Sequence, residues 1–264
     1  MKNINKIRFF VFYSLIFILH NPLYAVLVAQ YEFEDILNDS INTYHLEVVG
    51  SGAATYSTEA KRGSRSYNFN GVDNYLENAS NLHINRSTGT ISFWIKAIET
   101  NTQRTFIKMS TSEKVEILSK NGTLEAFYDG PGPFDEEDII TTPNIYDNTW
   151  HLVTLTFSSS TDSEIFYIDG VATAVDTDEA AKFGIGKRLY VGGEPGTLYT
   201  GLMDDLRIYD HELTAAEVLE LFTDPVVPVP AVAVPVSPFT YLFFALTIFF
   251  IGLKQIKNQK FLIG

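Results

Sequence analysis

The chain has 264 residues, with 19 Lys and Arg against 32 Asp and Glu for a net charge of −13, and no cysteine. A disulfide framework, a thiolate metal site and a cysteine nucleophile are therefore excluded. Aromatic residues at 14 % with charged residues at only 19 % exclude a disordered chain, and the length accommodates one β-sandwich of about 200 residues plus terminal segments.

Residues 1–25 read as a secretory signal. Lys2, Lys6 and Arg8 precede the apolar run Phe9–Leu19, Asn21 and Pro22 break the helix, and Ala25 supplies a small residue at the cut. The run is shorter than the roughly 20 residues of a membrane span, which favours cleavage over anchoring. Cutting after Ala29 instead would remove Val26–Val28 from the first strand.

From Val26 onward, short alternating strands dominate. Val26–Phe33 and Ser66–Phe69 alternate, and Thr90–Lys96 places Ile91, Phe93 and Ile95 on one face with Ser92, Trp94 and Lys96 on the other. Further strands are expected at 105–109, 115–118, 124–128, 150–157, 164–168, 188–191 and 202–209. Turn chemistry separates them, at Asn121-Gly122, Asp129–Pro133, Asp147-Asn148, Asp169-Gly170 and Gly192-Gly193. One helix is expected at Thr214–Phe222, where Thr214 and Glu217 form a capping box. The reading is all-β: a jelly-roll sandwich of two antiparallel sheets with a short C-terminal helix and a separate apolar tail helix.

The domain thus occupies residues 26–224. Residues 225–238 form a Pro/Val-rich linker, which proline keeps out of regular helix or central strand. Residues 239–253 are nearly all apolar and read as a transmembrane or sorting helix. Lys254, Lys257 and Lys260 follow in a basic tail, 254–264, which stays cytoplasmic and leaves the domain facing outward. Six basic residues lie at the two ends and every acidic one between Glu32 and Asp224, so the middle carries −19. A surface this acidic repels phosphate backbones, which excludes nucleic acid as a partner and suits an extracellular setting or divalent cations.

The blocks resemble a known family. Leu27–Asp35 with Asn38–Ser40 is similar to the opening strand and turn of the laminin-G-like, concanavalin A-like superfamily. Ser66–Leu76 resembles its second block, Thr90–Lys96 its tryptophan strand and Asp147–Phe157 its Trp-His strand. Phe166–Gly170 and Gly201–Asp210 resemble the remaining two, and Leu213–Val218 the closing turn and helix, all in the family's order. The tail resembles bacterial sorting tails of the exosortase type, the PEP-CTERM group, with 227–231 in the place of the motif but without Pro-Glu-Pro.

The superfamily resemblance implies a concanavalin A-like fold and a structural calcium ion. Carried over, its ligands are a backbone oxygen near Glu34, the Asp35 carboxylate as a nearby candidate, the Gly71 carbonyl and the Asp204 carboxylate, oxygen donors that suit calcium. The alternative for Asp204 is a turn cap, and Asp205 is expected to face solvent. Relatives that hydrolyse glycosides carry Glu-x-Asp-x-x-Glu on one strand. Here Glu136-Glu-Asp-Ile-Ile-Thr141 lacks the last carboxylate, between Pro133 and Pro143 in an expected loop. His151 is read as a hydrogen-bonded strand residue and Trp94 and Trp150 as framework; Tyr128, Phe134, Tyr146 and Tyr199, near loops, are the candidate ligand-binding aromatics.

The chain is accordingly expected to be an exported, non-catalytic binding or adhesion module at a bacterial cell envelope. Its expected partners are an extracellular glycan or protein, the membrane through the tail, and an exosortase-like processing enzyme. A glycoside hydrolase or lyase and a structural matrix component are the alternatives. N-terminal sequencing of the mature protein should begin at or near Val26; a retained Met1 would overturn the cleavage.

Overall fold

A computed structural model describes residues 26–78, 82, 88–98, 102–110, 114–129, 136–177 and 188–223. The signal, linker and tail-helix expectations, and the candidate Phe134, lie outside these residues.

Fifteen strands and one helix make up the described fold. In chain order they are β1 (Leu27–Tyr31), β2 (Leu46–Gly50), β3 (Tyr56–Ser57), β4 (Ser66–Asn70), β5 (Asn74–Asn78), β6 (Thr88–Ile98), β7 (Arg104–Ser110) and β8 (Lys114–Lys120). They continue with β9 (Thr123–Asp129), β10 (Glu136–Thr141), β11 (Asp147–Ser158), β12 (Ser163–Ile168), β13 (Val171–Asp176), β14 (Arg188–Val191), β15 (Thr200–Tyr209) and α1 (Ala215–Thr223). One sheet runs β13-β12-β11-β6-β15-β4-β3 with β1 added beside β15; the other runs β10-β9-β8-β7-β14-β5-β2. Every pairing among them is antiparallel. Two antiparallel sheets face to face, as expected, make the jelly-roll sandwich.

The faces divide as the alternation of β6 requires. Ile91, Phe93 and Ile95 join the core with Phe69, Phe106, Val153, Leu155, Phe166, Met203 and Leu206. Ser92, Trp94 and Lys96 turn to the outer face, since side chains of one strand alternate. Asn121 and Gly122 both adopt positive φ, 51° and 82°, which is the type I′ geometry of a two-residue hairpin and matches the β8–β9 turn.

β15 carries the main irregularity. Its register on β6 steps from Asp204 opposite Trp94 to Arg207 opposite Ser92, so β15 holds one extra residue. Asp205 at this bulge has φ 45°. Asp205 was expected to face solvent; instead it is buried, its carboxylate gripped by Arg207 Nε at 2.9 Å and Nη2 at 2.8 Å, with Gln30 Nε2 donating at 2.9 Å. A paired buried charge is tolerated where a bare one is not.

Two other expectations change. The acidic run around Glu136 is not a loop: Glu136–Thr141 forms edge strand β10, paired along its length with β9. Strands β2, β3, β5 and β13 also appear where no strand was expected. The helix begins as read, with Thr214 Oγ1 accepting from Glu217 N at 3.3 Å and Glu217 Oε2 accepting from Thr214 N at 2.8 Å. Thr214→Ala should cost about 1 kcal/mol of stability by chemical denaturation, as loss of such a cap does. An unchanged midpoint would show that α1 is held by packing alone.

Candidate functional site

The outer face of the β6 sheet is organised by its cross-strand register. Leu202 of β15 stands opposite both Asn68 of β4 and Lys96 of β6, and Lys96 stands opposite Trp150 of β11. Residues directly opposite on antiparallel strands share a face, with Cβ atoms about 5 Å apart. One row therefore reads Asn68, Leu202, Lys96, Trp150.

Beside this row opens a cleft of about 290 Å³, lined by Glu59, Asn68, Phe69, Lys96, Ile98, Asn148, Thr200, Gly201 and Leu202. Its floor includes Gly201, at φ 143°, where a Cβ would lie 2.3 Å from the Tyr199 hydroxyl and 2.6 Å from the Lys96 carbonyl. Any side chain there would force the floor apart. The walls mix amide, hydroxyl, ammonium and carboxylate groups with exposed apolar surface from Ile98 and Leu202. Lys96 Nζ is paired with Glu59 Oε1; the lysine side chain is 16 % exposed and the glutamate 53 %.

A strap, residues 59–65, forms the side of the cleft where Glu59 stands, and two carboxylates clamp it. Asp204 Oδ2 accepts the backbone N–H of Lys61 and of Arg62, both at 2.8 Å. Glu34 accepts from Ser64 N at 2.8 Å, Ser64 Oγ at 2.6 Å and Arg65 N at 3.1 Å. The Glu34 carboxyl is held below its usual range, the hydrogen bonds of Ser64 and Arg65 outweighing its desolvation. The strap then lays Lys61 Nζ 4.1 Å from the Trp94 ring centre, while Phe222 of α1 stacks on the same ring at 5.7 Å. Trp94 is thereby covered and offers no platform.

The four residues expected to share a calcium ion are not brought together. Glu34 engages Ser64 and Arg65, and Asp35 Oδ2 lies 3.2 Å from Arg65 Nε. The β4–β15 register puts Thr200 opposite Asn70 and Met203 opposite Tyr67. Gly71 therefore lies about five residues, ~16 Å, along the ladder from the position facing Asp204. Asp204 Oδ1 is buried without a hydrogen-bond partner, the one feature a cation would satisfy. Among the described residues no three His, Asp or Glu side chains are grouped to hold a metal, and the Gly71 carbonyl stands too far along the ladder from Asp204 to share one ion with it.

The candidate aromatics also separate. Tyr199, expected near the surface, is buried against Phe69 and Phe106, and its hydroxyl donates to the carbonyls of Lys96 and Leu202. It supports the cleft floor from below and cannot touch a ligand. Tyr146 packs on the core and donates to the Thr123 carbonyl at 2.9 Å. Tyr128 lies in β9, opposite Glu137. His151 is hydrogen-bonded as read, Nδ1 to Asp169 Oδ2 at 2.7 Å and Nε2 to Thr149 Oγ1 at 3.0 Å.

Asn68, Asn148, Thr200 and Leu202 went unread as site residues because each is an ordinary strand or turn residue in its own block. The signal available was Lys96, a cation on the outer face of a strand whose residues 89–95 are all buried.

The family model of the concanavalin A-like lectin/glucanases superfamily matches residues 69–219, more than half of the chain. The chain belongs to that superfamily. Domain 4 of a GH43 extracellular arabinanase from Geobacillus stearothermophilus, solved with arabinotriose, superposes with a TM-score of 0.63 at 21 % identity, covering 75 % of this chain and 98 % of that domain. The binding domain of botulinum neurotoxin DC in complex with SialylT superposes at 0.59 and 17 % identity, covering 76 % of this chain and 52 % of that one. The receptor binding domain of the C/D mosaic serotype does so at 0.59 and 16 %, covering 74 % and 50 %. This chain thus spans about half the length of the toxin domains, and at these identities the likeness is one of fold. No curated protein matches by sequence.

Burial pushes the Asp204 carboxyl up to about 7, against the N–H donors of Arg62 and Lys61. Unfolded, it titrates near 4, so the folded chain holds the extra proton between about 4 and 7. The cost of the buried charge is fully present above about 7 and is relieved as pH falls through that value. Asp204→Asn should therefore change the melting temperature more favourably at pH 8 than at pH 5. A difference of the opposite sign would show that the strap's N–H groups hold the carboxylate ionised.

Proposed function

We propose that the domain is an exported, non-catalytic carbohydrate-binding module, and that the cleft beside Lys96 receives the sugar. The observation that carries this is the lining. Amides at Asn68 and Asn148 and the Thr200 hydroxyl suit the hydroxyl groups of a sugar, while Leu202 and Ile98 suit its C–H face; few polar groups set among apolar surface is how small-molecule sites are built. The arabinanase domain, nearly all of which this chain covers, was solved with arabinotriose. Support for export remains the segregated ends of the sequence. Among the described residues no helix is long and apolar enough to cross a membrane.

The non-catalytic reading draws on the carboxylates. Glycosidases set two about 5–5.5 Å apart for retention or 6.5–9.5 Å for inversion. Among the described residues Glu59 is the one carboxylate lining the cleft, and it is paired with Lys96. A second reading, a glycoside hydrolase, has one observation in its favour: Glu136 and Asp138 stand at alternate positions of β10. Release of reducing ends from a polysaccharide, abolished by Glu136→Gln, would replace the first reading by the second.

A glycan array probed with the full-length chain should give binders, arabino-oligosaccharides being the first probes. Asn68→Ala should weaken the best of them about tenfold, the effect of one lost hydrogen bond of about 1–1.5 kcal/mol. Leu202→Glu should abolish binding without lowering the melting temperature. Binding indifferent to both substitutions would move the site elsewhere.

A further inference from the structure

We infer that the cleft selects a sugar bearing a ring carboxylate, such as a uronic acid residue, with Lys96 binding the carboxylate and Trp150 stacking on the ring. This rests on the proposal that the cleft binds carbohydrate. Lys96 extends from a central strand and its ammonium group has three donors. Among the described residues Glu59 is the sole hydrogen-bond partner of that ammonium group, on a side chain more than half exposed. An exposed ion pair of this kind contributes little, so a ligand carboxylate can displace Glu59 into water while the ammonium keeps an anionic partner. Charge-assisted hydrogen bonds of that sort are about twice as strong as neutral ones.

Trp150 stands directly opposite Lys96 on the same outer face, beside the cleft and not in its lining, and is half-buried, unlike the covered Trp94. A ring laid on an aromatic face beside an ammonium group matches a pyranose whose carboxylate projects from its edge. The cleft also rejects an alternative. The chain's net charge is −13, and a long polyanion laid across such a surface meets repulsion beyond the reach of a single lysine. The acidic sugar recognised is therefore a single residue, terminal or widely spaced, rather than a continuous polyuronate.

The test compares acids with their own neutral esters, which keep the ring and its hydroxyl groups. Full-length protein is titrated calorimetrically with a galacturonate-terminated disaccharide and its methyl ester, and with a glucuronate-terminated disaccharide and its methyl ester. In at least one pair the acid should bind about tenfold or more tighter, the increment of one charge-assisted hydrogen bond, and the gap should shrink at high salt. Lys96→Met should close the gap between acid and ester. Glu59→Gln should widen it by removing the competing carboxylate, and this exposed substitution guards against misfolding of the lysine variant. Trp150→Ala should weaken acid and ester alike. Equal binding of acid and ester in both pairs overturns this inference alone. Binding of neutral arabino-oligosaccharides with no binding of either acid or ester does the same. No binding of any sugar overturns the carbohydrate reading with it.

Discussion

Strand β6 has hydrogen-bonded neighbours on both sides, β11 on one and β15 on the other, over most of its length. A strand so held cannot slip by one residue without exchanging Ile91, Phe93 and Ile95 for Ser92, Trp94 and Lys96 in the core. That single register aligns Trp150, Lys96, Leu202 and Asn68 in one row. It also sets Asp204 opposite Trp94, under the strap. The core and the cleft are two sides of the same alternation, and neither can be altered through β6 without disturbing the other.

The bulge in β15 is the second determinant. One extra residue between Asp204 and Arg207 turns two adjacent carboxylates and an arginine to the same covered face. Asp205 is neutralised by Arg207 and accepts a hydrogen bond from Gln30, while Asp204 is left with backbone donors for one oxygen and none for the other. Burying a charge with incomplete partners is costly, and the structure tolerates it where the carboxylate fastens the strap that flanks the cleft. Strained, costly geometry of this kind concentrates near functional sites.

Much of the fold was legible in the sequence because long β-branched and aromatic runs alternate cleanly. Thr90–Lys96 and Trp150–Phe157 declare their faces without any tertiary information, and Thr214 with Glu217 declares the helix start. What escaped has physical reasons. β2, β5 and β13 are short and lie at or beside sheet edges, where one side of the ladder and much of the surface face solvent and strong alternation is not required. β10 opens with acidic residues between two prolines, a composition that reads as loop until β9 is present to pair with it. The cleft escaped more completely, because its walls come from β4, β6, β11, β15 and the strap, five segments with no common local pattern. Tyr199 shows the reverse error: an aromatic beside a glycine-rich turn looks accessible, yet the turn folds it inward against Phe69 and Phe106.

The strap from Glu59 to Arg65 joins the cleft to the buried carboxylate. Glu59 lines the cleft at one end; Lys61 and Arg62, two and three residues on, donate to Asp204. A ligand that displaces Glu59 acts on the same short segment whose backbone donors compete with the proton on Asp204. Coupling between two such equilibria is reciprocal: whatever factor occupancy of the cleft applies to protonation, protonation applies to occupancy. Under the carbohydrate-binding proposal, occupancy of the cleft and the proton on Asp204 are therefore linked through the strap, by a carboxylate beneath the sheet surface.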